Sequence, residues 1–183
     1  MKSELTVPAT RRVLIVCHAN TSRSIIAAAL LQKMLVARGR GDVAVHSGGI
    51  APFARDSSLV SLDARLVLRD DAIEIPPDAT ACDLKRHREL LAEADLIVTM
   101  TTEQKHMLGD FAEADGKDVW TLRELAGENG DIEDPAGRDT DFFRACRDEI
   151  HRCLEKALDR LAPPCKQTTS SARAACRSRR REE

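Results

Sequence analysis

The chain has 183 residues, of which 43% are hydrophobic and 32% charged, and its formal net charge is −2. This composition predicts one soluble domain that buries a core without disulfides or a metal. It excludes a membrane protein, since no stretch approaches about 18 consecutive apolar residues, and the first residues lack the apolar run of a secretory signal, so we expect a cytoplasmic protein.

Hydrophobic periodicity predicts strands and helices that alternate along the chain. The predicted elements are a strand at 12–17, a helix at 24–38, a strand at 43–47, helices at 59–68 and 83–92, a strand at 95–100, a helix at 103–111, a strand at 118–122 and a helix at about 141–161. Such alternation is typical of an α/β protein, here a single-domain doubly wound four-stranded parallel sheet with helices on both faces.

Two apolar features predict where the core lies. In the last helix, one face carries a series of apolar residues at helical spacing: Phe143, Cys146, Ile150, Cys153, Leu154, Ala157, Leu158 and Leu161. Trp120, in the fourth strand, is also expected in the core.

The composition changes after residue 162. Pro163 and Pro164 stop the last helix, and the 163–183 segment is rich in arginine, serine, threonine and alanine. We predict a folded domain at 1–162 and a basic, disordered tail at 163–183. The tail is the only hint of nucleic-acid binding, and a solvated extension is the preferred interpretation.

The six cysteines do not form a recognisable pattern. They occupy positions 17, 82, 146, 153, 165 and 176, without a Cys-x-x-Cys pair and without clustered histidines. The sequence therefore predicts reduced thiols, with neither a disulfide framework nor a zinc site.

The loop that follows the first strand carries the chemistry. In a parallel sheet, ligands bind beyond the carboxyl ends of the strands, and an anion fits at the start of the following helix. Cys17 and Arg23 bracket this loop six positions apart. A guanidinium can clamp two phosphate oxygens, and the positive end of the helix favours a nucleophilic thiolate. Asn20, Thr21 and Ser24 suit a strained turn, since asparagine tolerates left-handed geometry.

A second loop, after the fourth strand, supplies a proton donor for the leaving group. Asp134 precedes Pro135, which stiffens the loop. Repulsion from nearby carboxylates is expected to favour the protonated form of Asp134, which a general acid needs. These carboxylates belong to Asp131, Glu133, Asp139 and Asp141.

Together the two loops resemble those of the low-molecular-weight cysteine-dependent protein phosphatases, from about residue 13 to 161. The resemblance implies that Cys17 is the nucleophile, that Arg23 binds phosphate and that Asp134 is the general acid and base. It also implies a phosphocysteine intermediate, without a metal or another cofactor. By the same resemblance, further residues bind the substrate or brace the loop: His18, Ala19, Asn20, Thr21, Ser22, Ser24 and Ser47.

Two loop positions depart from the family pattern. Ala19 replaces the usual glycine, so we expect a reduced rate if that position requires a positive φ. Ser22 stands where many members carry a second cysteine, so a protective disulfide within the loop is not available.

The resemblance implies that the substrate is a phosphorylated protein, and the sequence favours phosphoarginine over phosphotyrosine. Ala136 and Gly137 follow the Asp-Pro pair where tyrosine phosphatases have aromatic residues, which leaves less surface to stack on phosphotyrosine. Thr21 is found where arginine phosphatases carry threonine and tyrosine-specific members tend to have a larger apolar residue. The 118–158 segment also resembles the arginine-phosphatase branch, although that branch often has an aromatic residue in place of Ala136.

Three different functions stay open beside this one. The first is a tyrosine phosphatase of the same family. The second is an arsenate reductase, although its redox cycle needs two further cysteines near the site and only Cys82 lies mid-chain. The third is a phosphoprotein-binding module that has lost catalysis through Ala19.

Overall fold

The computed structural model describes residues 11–163. Within this range, a parallel sheet has the strand order β2-β1-β3-β4. The strands are β1 (Arg11–Cys17), β2 (Val43–Gly49), β3 (Leu96–Thr99) and β4 (Val119–Thr121). The α-helices are α1 (Arg23–Ala37), α2 (Leu62–Arg69), α3 (Glu89–Glu93), α4 (Thr102–Met107), α5 (Leu122–Leu125) and α6 (Thr140–Leu161). Two 3-10 turns, Leu108–Asp110 and Ala112–Ala114, follow α4.

The sheet buries both of its faces. Alternate side chains of β1 point to opposite sides, so Val13 and Ile15 pack into one cluster and Leu14 and Val16 into another. On the first side, α1, α2 and α5 pack against α6, whereas α3 and α4 contact the strands on the other side. This arrangement confirms the predicted doubly wound α/β fold.

The apolar face predicted for the last helix is confirmed. Every residue of that face is buried in α6, including Cys146 and Cys153. Burial raises the pKa of the Cys146 thiol to about 12 and also raises that of Cys153. Both thiols therefore belong to the core.

The helix predicted over 83–92 is wrong for its first half. α3 begins only at Glu89, because the preceding segment runs beside the end of β2 instead. There, the Gly49 amide donates to the Cys82 carbonyl at 2.8 Å, and the Leu84 amide donates to the Gly49 carbonyl at 3.0 Å. Pairing with the sheet thus overrides the local helical periodicity.

The prediction that Trp120 lies in the core is also wrong. β4 is an edge strand, and Trp120 is 39% exposed. Its indole N–H donates to Asp118 Oδ1 at 2.6 Å, and the Lys105 ammonium lies 5.3 Å from the ring centre. The edge position therefore leaves the ring partly exposed.

Two further findings concern the predicted absence of a membrane span and the predicted tail. No helix between residues 11 and 163 has the length and apolar character needed to cross a bilayer. The basic tail predicted at 163–183 lies, after Pro163, outside the described residues.

Candidate active site

The loop from Cys17 to Ser24 joins the carboxyl end of β1 to the start of α1. Cys17 is 3% exposed, and two groups contact its sulfur. The backbone amide of Asn20 donates to Sγ at 3.2 Å, and the Ser24 hydroxyl oxygen lies 2.9 Å from Sγ. Hydrogen-bond donors at these positions can stabilise the negative charge of a Cys17 thiolate.

Asn20 holds this loop in place through its side chain. Its Nδ2 donates to the Ser24 hydroxyl at 2.8 Å and to the Ser47 hydroxyl at 2.9 Å. Its Oδ1 accepts from the Cys82 amide at 2.8 Å, which fixes the orientation of the amide group. Because the Ser24 oxygen already accepts a hydrogen bond from Asn20 Nδ2, its own hydroxyl hydrogen is free to point to the Cys17 sulfur.

The left-handed conformation of the loop falls on Asn20, whose φ is 58°. Ala19 is not among the residues with positive φ. The reduced rate expected from Ala19 depended on a positive φ there, so this structural reason for it does not apply. Asparagine is the non-glycine residue type that accepts left-handed geometry most readily.

Backbone hydrogen bonds from the segment after β2 support the loop. Ile50 donates to the Cys17 carbonyl at 3.1 Å, Ala51 to the His18 carbonyl at 2.9 Å, and Ser61 to the Thr21 carbonyl at 2.9 Å. A Cβ on Gly49 would lie 2.7 Å from the carbonyl carbon of Ala19. The Ser47-Gly48-Gly49 stretch that ends β2 is part of the family resemblance, but the sequence assigned Gly49 no role of its own.

Ser22 and Thr21 occupy the turn into α1. Ser22 is the N-cap residue of α1 and is buried, but its side chain makes no capping bond. Its carbonyl instead accepts the amide of Ile26 at 2.9 Å. Thr21 is half-buried.

Arg23 lies beneath the acidic loop. The residue is 2% exposed, and its Nη1 donates to the Ile132 carbonyl at 2.9 Å. Its Nη2 donates to Asp134 Oδ2, whereas its buried Nε has no partner in the described range. Nε and Nη2 form one edge of the guanidinium, which is the edge that binds two oxygens of a phosphate. An anion there would satisfy the unpaired donor.

Backbone contacts bring Asp134 to Arg23. The Ile132 amide donates to the Met100 carbonyl at the end of β3, at 2.9 Å, which anchors the acidic loop to the sheet. Asp134 Oδ1 accepts the Ala136 amide at 3.1 Å, which orients the carboxylate. Sequence reasoning missed Ile132, since a buried isoleucine has no chemical signature.

The charge closest to Asp134 has the opposite sign from the one expected. Arg23 contacts its carboxylate directly, whereas neighbouring acids have partners of their own. Asp131 accepts from the amide and hydroxyl of Thr102, and Asp139 caps α6. Asp134 therefore faces a cation as well as the neighbouring carboxylates considered from the sequence.

His18 and Phe53 lie beside the guanidinium. His18 Nδ1 is 3.4 Å from Arg23 Nη2, and its Nε2 is 3.5 Å from a carboxylate oxygen of Glu103. The rings of His18 and Phe53 are 6.4 Å apart, and Phe53 is 63% exposed. Neither Phe53 nor Glu103 was singled out from the sequence, since both lie far from the two motifs along the chain.

Comparisons with known proteins agree with this geometry. The chain matches the family described as low molecular weight phosphotyrosine protein phosphatase over residues 12–167. It is 37% identical to a protein-arginine-phosphatase of Geobacillus stearothermophilus, over 82% of this chain and 93% of that protein. It is 34% identical to the low molecular weight protein-tyrosine-phosphatase PtpB of Staphylococcus haemolyticus, over 76% of this chain and 91% of that protein.

A solved structure gives the same fold with a modified active site. It is the YwlE arginine phosphatase in which a cysteine-to-serine mutant carries a phosphorylated active site serine. Its TM-score to this chain is 0.74, at 28% sequence identity, covering 84% of this chain and 97% of that one.

Proposed function

Because the chain belongs to the low molecular weight phosphotyrosine protein phosphatase family, we propose that it removes phosphate from phosphoarginine in proteins. The observation that carries the chemistry is the Cys17 sulfur, which is held by the Asn20 amide and the Ser24 hydroxyl in the turn that also presents Arg23. A thiolate and a guanidinium at one anion-binding turn suit attack on phosphorus.

In the first step, the Cys17 thiolate attacks phosphorus and the bond from phosphorus to the guanidino nitrogen of the substrate breaks. Nε and Nη2 of Arg23 hold two phosphoryl oxygens in place of the Asp134 contact. Asp134, released from the guanidinium, takes a proton from solvent and gives it to the leaving nitrogen, which leaves Asp134 as the carboxylate that acts as the base in the second step. The products are a free arginine side chain and a phosphocysteine.

In the second step, Asp134 accepts a proton from a water molecule that attacks the phosphocysteine. The sulfur–phosphorus bond breaks, inorganic phosphate leaves, and the Cys17 thiolate is restored. The Asn20 amide and the Ser24 hydroxyl stabilise the thiolate as a leaving group, as they did as a nucleophile. Neither step requires a metal ion.

The preference for phosphoarginine is supported by the entrance of the site. Ala136 and Gly137, which follow the Asp-Pro pair, are exposed and offer no ring to stack on a phenyl group. Asp134 can pair with a planar guanidinium before it protonates nitrogen. The protein-arginine-phosphatase relative, at 37% identity, agrees with this preference.

One observation favours phosphotyrosine as a second candidate substrate. The exposed ring of Phe53 lies near His18 and supplies an aromatic surface at the site. A phenyl ring could stack there even though the acidic loop lacks an aromatic residue. The PtpB relative, at 34% identity, agrees with this second candidate.

An arsenate reductase and an inactive binding module have less support. Among the described cysteines, Cys146 and Cys153 are buried in the core, which leaves only Cys82 beside the loop for the redox cycle of an arsenate reductase. A binding module that lost catalysis through Ala19 has less support because the left-handed residue of the loop is Asn20.

The test is phosphate release from phosphoarginine and phosphotyrosine peptides of identical sequence, in the presence of a chelator. We expect a higher kcat/KM for phosphoarginine, and no turnover by C17S. A phosphotyrosine preference would assign the second candidate substrate, and no turnover of either peptide by folded protein would favour a binding module. Thr21→Ile is expected to shift the preference towards phosphotyrosine, and Thr21→Val, which removes only the hydroxyl, is its matched control.

The role of Asp134 has a separate test that depends on the leaving group. D134N should slow hydrolysis of both peptides far more than that of p-nitrophenyl phosphate, whose leaving group needs no proton. Glu133→Gln, which removes an exposed neighbouring carboxylate, should leave both rates unchanged. An equal loss of rate on all substrates in D134N would contradict the assignment of Asp134 as the acid.

The catalytic domain is proposed to occupy residues 1–162, with the basic segment 163–183 appended to it. We place this phosphatase in the cytoplasm, where its thiols would stay reduced. Removal of residues 163–183 is expected to leave peptide hydrolysis unchanged.

A further inference from the structure

Asp56, Cys82 and His87 lie together although two separate segments supply them. Asp56 is in the loop after β2, and the other two lie between α2 and α3. Their nearest nitrogen, oxygen and sulfur atoms all fall within 4.8 Å of one another. His87 Nε2 lies 3.2 Å from Asp56 Oδ1.

We propose that Asp56, Cys82 and His87 bind a zinc ion. Bonds of about 2.0–2.3 Å at tetrahedral angles place zinc ligands about 3.3–3.7 Å apart. The imidazole and carboxylate are already at nearly this separation, and side-chain rotation can bring the thiolate to it. All three residues are half-buried, so the fourth position is open to water.

The surroundings of the three residues suit a cation. His87 Nδ1 lies 3.2 Å from Glu89 Oε1, and a carboxylate on the second ring nitrogen is the usual outer partner of a zinc-binding histidine. The Asp83 amide donates to Asp56 Oδ1 at 2.7 Å and orients that carboxylate. The Arg86 guanidinium, 3.6 Å from Asp56 Oδ2, is mostly exposed and can turn to solvent.

The charge around Cys82 supports the same conclusion. Three carboxylates, those of Asp56, Asp83 and Glu89, lie near the Cys82 thiol and make its surroundings negative. A bound Zn²⁺ neutralises the local negative charge and displaces the thiol proton to solvent.

The site is connected to the phosphate-binding loop through one hydrogen bond. The Cys82 amide donates to Asn20 Oδ1, and Asn20 holds Ser24 and Ser47. A metal that joins the Asp56 loop to the Cys82 segment would therefore fix the partner of Asn20. Its role is structural, and it stands whether or not the proposed substrate is correct.

The test is a titration of the full chain with Co²⁺, whose bond to a thiolate gives an absorption band in the near ultraviolet. We expect this band in the wild-type protein and its loss when Zn²⁺ is added, because Zn²⁺ displaces Co²⁺. The band should be absent in C82S and in H87Q. Glu89→Gln should weaken binding about tenfold, as expected for the loss of an outer partner.

Control variants separate this site from the other accessible thiols. C17S, which lacks the thiol of the phosphate-binding loop, should keep the band, as should a variant with both Cys165→Ser and Cys176→Ser. Zn²⁺ should raise the Tm of the wild type but not that of H87Q, whose Tm in chelator should equal that of the wild type. No band in folded wild-type protein, or a band that persists in C82S and is lost in C17S, would overturn the proposal.

Discussion

Gly49 lies where β2 meets the phosphate-binding loop, and its replacement by alanine tests how closely the two backbones must approach. The new Cβ would lie 2.7 Å from the Ala19 carbonyl carbon and 2.9 Å from the His18 carbonyl oxygen. Ordinary contact begins at 3.4 Å, so one backbone must move by about 0.7 Å. Neither neighbour is a side chain that can rotate away.

The cost follows from that displacement. Overpacking of this kind destabilises a protein by about 1–3 kcal/mol, and the reduced entropy of the unfolded alanine chain offsets about 0.4–1 kcal/mol of it. The loop that moves carries the nucleophile. Since a misplacement of about 1 Å can lower a rate 100-fold, we expect G49A to lower kcat about 10- to 100-fold.

Two neighbouring substitutions separate the loop effect from general strain. In G48A the Cβ would meet the Leu84 side chain, 2.5 Å from its Cγ, so stability should fall while kcat stays near that of the wild type. In G109A no described atom lies within 4 Å, and stability should be unchanged or slightly higher. The assays are urea unfolding and steady-state hydrolysis of a phosphopeptide. Wild-type kcat in G49A, or an equal loss of kcat in G48A, would refute the reasoning.

Three further predictions concern other positions. Asn20→Gly should lower the free energy of unfolding, measured in urea, by about 2–4 kcal/mol, because three side-chain hydrogen bonds are lost. Asn20→Ala should cost about 1 kcal/mol more, since φ is 58° at this position. Equal stabilities of the two variants would contradict this prediction. Hydrogen bonds from Arg152 and Lys156 lower the pKa of Glu128 from 4.5 to about 2. The stabilising contribution of this carboxylate is therefore present above pH 4.5 and is lost as the pH falls to about 2. In acid denaturation, E128Q should lose less stability than the wild type over this range. Treatment of the native protein with limiting iodoacetamide near pH 8 should leave Cys146 unlabelled, because the pKa of its thiol is about 12 and the residue is buried. Rapid labelling of Cys146 in native protein, detected by peptide mass spectrometry, would argue against that burial.

The succession of strands and helices along the chain follows from the sequence, and so does the position of the phosphate-binding loop. Apolar periodicity reports which face of each element is buried, and α6 shows every predicted core residue buried. Cys17, Arg23 and Asp134 were singled out because thiol, guanidinium and carboxylate groups have distinct chemistry. Parallel strands bring their carboxyl ends to one edge of the sheet, so the two loops were expected to meet.

Only the tertiary structure shows what holds these groups in place. Cys82 to Leu84 pair with the end of β2, so the helix begins only at Glu89, and Trp120 lies exposed on an edge strand. Strand order and edge position depend on contacts between distant segments, which local periodicity does not encode.

The same distinction separates the two sites. The phosphate-binding loop is contiguous in the chain, so local spacing was enough to indicate it. Its supports include backbone groups of Ile50, Cys82 and Ile132, which many residue types could supply and which therefore leave no pattern. The candidate zinc ligands Asp56 and Cys82 are distant in sequence and were expected to form no metal site. Folding alone brings them together. The segment with Cys82 pairs with the end of β2, and the loop that follows β2 contains Asp56.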